Sequence, residues 1–184
     1  MSLAEAVTGW HQFYLGAASV AAVLLGLVFV GMSIHYDLRR VDRRLVAMAT
    51  ESAVPFFYAT LVCLLMLMPP AQPWVPSGAL LLVGALASVN AGAPLYGRWF
   101  AAATRPGPER RVFDRLRYVL PVLAALALMP VALWLAVAPD AALYGVALVV
   151  LVFIAFGMQN AWDVLLRRDL RGRAEASPPD DGER

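Results

Sequence analysis

Seven polar side chains stand where the surrounding sequence is apolar: Glu51, Asn90, Gln159, Asn160 and Asp163, with Ser33 and His35 at the end of the first apolar run. Ionisable and amide groups in a hydrocarbon setting are costly, and they turn toward a partner or toward water. Two of them share a further feature. Pro55 follows Glu51 by four residues, and Pro94 follows Asn90 by four. A helical proline has no N–H for the carbonyl four residues earlier, and its ring pushes that carbonyl aside. Each pair thus couples a side-chain oxygen to an unbonded backbone oxygen, the donor set that replaces the hydration shell of a cation in pores and transporters. The prolines also make Pro55 and Pro94 hinge candidates. Simpler roles stand beside this one: Asn90 gluing two helices by a hydrogen bond, Glu51 meeting Arg43 or Arg44, and Asp163 pairing with Arg167 one turn later.

The elements that hold these groups are apolar helices. Of the 184 residues 61% are hydrophobic and 15% charged, against about 45–50% and 25% in soluble domains. A bilayer core of about 30 Å takes roughly 20 apolar residues as a helix. Five runs meet that length, at about 13–35, 46–68, 77–97, 116–138 and 141–164. The last two are separated by a tight turn signal at Pro139-Asp140. The sequence therefore predicts an all-α, polytopic transmembrane helical bundle over 1–170, followed by a polar, proline-containing disordered tail over 171–184.

All fifteen basic side chains are arginine, and they fall in three places only. Arg39, Arg40, Arg43 and Arg44 follow the first span. Arg98, Arg105, Arg110, Arg111, Arg115 and Arg117 lie between the third and fourth, and Arg167, Arg168, Arg171, Arg173 and Arg184 follow the fifth. Positive residues mark the cytoplasmic ends of membrane helices. The amino terminus is thus expected outside and the carboxyl terminus inside, in the inner (plasma) membrane of a bacterium. Trp10, Trp74 and Trp134 fall at the outer interface of this topology, and Trp99 and Trp162 at the inner one, where indoles prefer to sit. A cleaved signal peptide is not expected, because no basic residue precedes the first span and its apolar run exceeds about 7–15 residues. At about 1.5 Å per residue, Asn90 lies about 12 Å inward from Arg98. All seven polar candidates gather in the arginine-bearing half.

Small residues at four-residue spacing mark helix-packing seams in lipid: Ala18, Ala22 and Gly26 in the first span, and Gly84, Ser88 and Gly92 in the third. They serve packing within the chain or between copies. Enzyme chemistry is not expected: no zinc-protease, serine-hydrolase, phosphate-loop or paired-cysteine motif occurs, and His11 and His35 fall at opposite faces of the bilayer. Neither a cofactor nor a resident metal is expected. Cys63 is the only cysteine, which excludes a disulfide scaffold, and a net charge of +2 does not make a nucleic-acid surface.

The pattern of Trp10, Phe13, Gly16, Leu25, Gly26, Leu27, Phe29, Val30 and Ser33 resembles the opening helix of a family of small uncharacterised bacterial integral membrane proteins. Those carry a Trp-x-x-Phe start, a glycine-alanine run and a Leu-x-Gly-Leu-x-Phe-Val-x-x-Ser ending. Some are labelled modulators of a membrane-bound protease, which implies a regulatory role. The end of the same helix is more faintly similar to the pore-lining first helix of Orai calcium channels, which implies conduction, although that helix carries a pore glutamate absent here. Taken together, the residues lead to an oligomeric channel or channel-like transport protein with the lipid bilayer, further copies of itself and an inorganic cation as partners. In it Glu51 supplies charge, Asn90 and Asn160 neutral ligands, and the apolar outer halves a dewetting gate. The alternative is a non-conducting regulatory or assembly subunit of a larger membrane complex.

Overall fold

A computed structural model of the chain describes residues 3–34, 43–69, 74–102 and 111–176. Within them the protein is all-helical: α1 (Leu3–Ile34), α2 (Arg43–Leu67), α3 (Trp74–Ala102), α4 (Arg111–Leu135) and α5 (Pro139–Ala176). Three helices carry segments long and apolar enough to cross a membrane, Val7–Gly31, Trp74–Gly92 and Pro139–Trp162. In α2 and α4 the apolar segments among the described residues are shorter, Ser52–Leu67 and Val119–Leu135.

At most of their ends the helices outrun the apolar runs that announce them, although α4 stops at Leu135, short of residue 138. α1 starts at Leu3, well before residue 13, and α2 and α4 take in Arg43 and Arg111. Apolarity ends where lipid would end, but a helix ends where backbone hydrogen bonding does, and Ala, Leu, Glu and Arg all favour its continuation. The same reason corrects the tail. Residues 171–176, expected to be disordered, are the last turns of α5, and Gly172 alone does not interrupt them. Pro178 and Pro179 follow and lie outside the described residues, with the rest of 177–184.

The turn before α5 also differs from expectation. Pro139 and Asp140 open the helix, and the chain reverses earlier, over 136–138. There the amides of Val137 and Ala138 both donate to the Trp134 carbonyl, at 3.0 and 2.8 Å. Ala138 then accepts the first bond of α5 from Ala142 at 3.2 Å. Proline suits the first helical position because the N–H it lacks would have no partner there. Asp140 in the first turn complements the positive end of the helix dipole. Pro76 is tolerated in the first turn of α3 for the same reason.

α5 is the element around which the others assemble. It packs against α1, α2 and α4, while α1 pairs with α2 and α3 with α4. Of the most apolar 18 residues of α5, 50% are buried, against 17% in α1. The shared core joins Tyr14, Ala18 and Ala21 of α1 to Val62, Cys63 and Met66 of α2. It continues through Leu80, Val83 and Ala87 of α3 and Leu128 and Ala132 of α4 to Leu143, Val146, Val150 and Phe153 of α5. A polar contact crosses this core: the buried Tyr14 hydroxyl donates to the Leu143 carbonyl at 3.0 Å. Beside it Trp10 meets Tyr144 edge-on, with ring centroids 4.6 Å apart. The amino-terminal part of α1 is thereby fixed to the start of α5.

The small-residue seams serve different ends. A Cβ on Gly84 would lie 3.2 Å from Met129 and 3.3 Å from the Ala125 carbonyl, so this glycine seats α3 on α4. Ser88 is half-buried and returns its hydroxyl to the Gly84 carbonyl at 2.7 Å. Ala22 and Gly26 are exposed, and a Cβ on Gly26 or Gly92 would meet nothing within 4 Å. The closest approaches are on α5, where a Cβ on Gly145 would lie 3.0 Å from Val131, and one on Gly157 2.8 Å from the Phe56 ring. Phe56 is only 1% exposed and has no room to retreat. Gly157→Ala is therefore expected to destabilise the protein by about 1–3 kcal/mol through overpacking. Gly26→Ala should be neutral or stabilising by up to about 1 kcal/mol from helix propensity. Thermal unfolding in detergent, followed by circular dichroism, checks the contrast.

Candidate functional site

The polar half is built on α2, α3 and α5. Asn90 lies on α3, and its side-chain amide donates to the hydroxyl of Tyr58 on α2. Tyr58 is buried, and its ring meets Phe57 edge-on at 5.7 Å and lies tilted against Phe153 of α5 at 6.3 Å. The bond thus links α3 to α2 at the level where α2 meets α5. Asn90 itself is exposed, so its amide sits at the edge of this junction and not inside a cavity.

Asn160 on α5 is buried, 6% exposed, and is engaged by a partner. Its neighbour Gln159 points the other way and is exposed. Ser33, also exposed, donates back to the Phe29 carbonyl of its own helix at 2.9 Å, the usual resort of a serine with no other partner in a helix. Pro55 is buried inside α2. The side chains of Glu51, Asp163 and Pro94 lie outside the described residues, although their backbones are helical; His35 lies outside them altogether. Among the described residues no three His, Cys, Asp or Glu side chains gather to hold a metal ion.

Gln159 lines an open groove of about 500 Å³ along α5, together with Val152, Phe156, Met158 and Trp162 and with Leu120 of α4. Its walls are almost wholly apolar, and Gln159 is the one amide among them. One participant in the polar half carries little sequence signal. Tyr58 reads as one aromatic in the run Phe56-Phe57-Tyr58 and is distinguished only by its hydroxyl. Ser77, at the other end of α3, is buried with no hydrogen-bond partner for its hydroxyl. Gly157 was legible only as one of many small residues of the fifth span.

With these partners the arrangement does mechanical chemistry. An amide and a phenol joined across two helices satisfy each other and fix their register, which is the commonest use of polar side chains between membrane helices. The chain matches no family model, no curated protein and no solved structure.

The Asn90–Tyr58 bond is open to a double-mutant cycle. Asn90→Ala and Tyr58→Phe should each destabilise the protein, and the double variant should cost less than their sum by about 0.6 kcal/mol, the average for such bonds between membrane helices. Additive losses in thermal unfolding would mean that the contact contributes nothing.

Proposed function

We propose that this chain is a five-span protein of the bacterial inner membrane, with its amino terminus outside and its carboxyl terminus inside. In this reading it acts as a non-conducting regulatory or assembly subunit of a larger membrane complex. The observation that carries the reading is the Asn90–Tyr58 bond, which commits a leading ion-ligand candidate to holding helices together. Asn160, the other neutral candidate, is likewise buried and engaged. Among the described residues, the core shared by all five helices is made of apolar side chains in mutual contact. A regulatory role is also what the resemblance of Trp10–Ile34 to small bacterial membrane proteins implies.

Helix length supports five crossings. The shortest helices, α2 and α4, have 25 residues each; their apolar stretches, Ser52–Leu67 and Val119–Leu135, cover about 24–26 Å at 1.5 Å per residue, and the helices continue past them toward the edges of a core of about 30 Å. The arginine distribution supports the orientation.

One observation favours a second reading, a channel formed between copies of the chain. Asn90 and Gln159 are exposed on the outside of the protomer, where neighbouring subunits could enclose them. Reconstitution separates the two. Liposomes containing the purified protein should be no leakier to monovalent cations than empty ones, at any imposed voltage, and Glu51→Gln should change nothing, while mild-detergent extracts should carry the chain in an assembly with a second, larger protein. Cation flux altered by Glu51→Gln would replace the first reading with the second. For topology, a carboxyl-terminal phosphatase fusion, active only outside the cytoplasm, should be inactive.

A further inference from the structure

We infer that the face of α5 carrying Gln159 is the interface of a two-fold homodimer, in which the side-chain amides of two copies bond to each other inside the hydrocarbon. The inference rests on the membrane-spanning reading above and gives it a partner surface. The apolar segment of α5 runs from Pro139 to Trp162, and Trp162, 61% exposed, closes it at the interfacial level that indoles prefer. Gln159 is three residues short of that end, about 4.5 Å further in. A helical Cα–Cβ bond tilts toward the amino terminus of its helix, so residue 159 projects away from Trp162 and toward the middle of the bilayer. Its side chain is exposed, and its amide makes no hydrogen bond among the described residues. Asn90, also exposed, differs in having its amide committed to Tyr58.

A bare amide at that depth is costly, and what lies against it must offer hydrogen bonds. Acyl chains offer none. The backbone of a neighbouring helix offers few, because its own ladder already occupies them. The occupant is therefore a polar side chain at the depth of Gln159. Symmetry supplies one: copies inserted the same way round in one membrane are related by a two-fold axis along the bilayer normal, so a residue near the axis meets its counterpart at its own depth. A carboxamide has two donors and an acceptor oxygen, and two of them satisfy each other by reciprocal bonds. A different protein would have to bring a polar group to this depth, whereas a second copy of this chain has one by construction.

The surroundings of Gln159 are shaped for a helix. Ala155 lies one turn before it on the same stripe and is exposed, a small residue among the exposed Leu148, Leu151, Met158 and Trp162. A small residue beside a polar one lets two backbones approach closely and then bonds them. Next to this stripe, the open apolar groove of about 500 Å³ between α5 and Leu120 of α4 gives room to the larger side chains of a second α5. Met158 is suited to that filling, since its flexible thioether adapts to irregular gaps.

The test uses the full chain in phosphatidylcholine liposomes, with donor and acceptor dyes on the carboxyl termini of separate copies. Association is read from energy transfer as added lipid dilutes the protein, and the wild type should form dimers. Gln159→Leu, which suits a lipid-facing position, should weaken them about five- to thirty-fold, the worth of one hydrogen bond between model membrane helices. Gln159→Asn, which keeps an amide, should retain most of the association, and Ala155→Leu should weaken it by blocking close approach. Oxidation should join copies of Ala155→Cys in pairs, whereas Val23→Cys, at a 62% exposed position of α1, and the buried Cys63 of the wild type should stay unlinked. Association unchanged in both Gln159→Leu and Ala155→Leu overturns the interface, and so does cross-linking through Val23→Cys but not Ala155→Cys. A chain that stays in the liposomes and never associates also overturns it, in favour of a different partner if Ala155→Cys links to a second protein in native membranes. A chain that separates from the liposomes on flotation overturns the membrane-spanning reading itself, and the dimer with it.

Discussion

In hydrocarbon a backbone amide finds no water, so every N–H and C=O must be bonded within the protein, and a helix does this with local bonds alone. The rest of this molecule follows from that constraint. It explains why the described residues are all-helical, and why the reversal into α5 is so short and closed by its own bonds to Trp134. It also bears on the helical prolines among the described residues: those in first turns, such as Pro76 and Pro139, lose no bond, whereas one inside a helix, such as Pro55, leaves a carbonyl without its usual donor.

The same constraint governs the side chains. Where apolar packing does not distinguish inside from outside, close approach and paired polar groups hold helices together. α5 concentrates both. Gly145 and Gly157 let Val131 and Phe56 against its backbone, and its Leu143 carbonyl receives the Tyr14 hydroxyl across the core. The Phe153 ring extends this network to Tyr58, and through it to Asn90 on α3. α5 is thus tied to α1 at one level and to α2 and α3 at another. What remains on the outside is apolar, apart from a few groups such as Asn90, Gln159 and Ser33.

Much of this was legible in the residues. The five helices follow from five apolar runs divided by arginines and prolines; most ends shift outward because helix propensity outlasts apolarity, whereas α4 stops at Leu135, three residues short of its run, where the turn into α5 begins. Pro139-Asp140 was legible as a boundary but misread as the turn, since both residues are equally at home in a first helical turn. The candidate site was legible as a set of residues and a depth. Its wiring was not, because an asparagine that ligates an ion and one that bonds a tyrosine have the same sequence signature.

The sequence by itself determined that this is an apolar helical chain and where its helices lie, since these depend on composition and order along the chain. Only the tertiary structure decided that α5 is central and α1 peripheral. It also decided that Gly157 touches Phe56 while Gly26 touches nothing, and that Asn90 bonds Tyr58. The physical reason is that in lipid the periodicity of hydrophobicity no longer separates a buried face from an exposed one. Which neighbour a small or polar residue meets is set by how the helices pack, and residues 32 positions apart such as Tyr58 and Asn90 carry no local mark of that meeting.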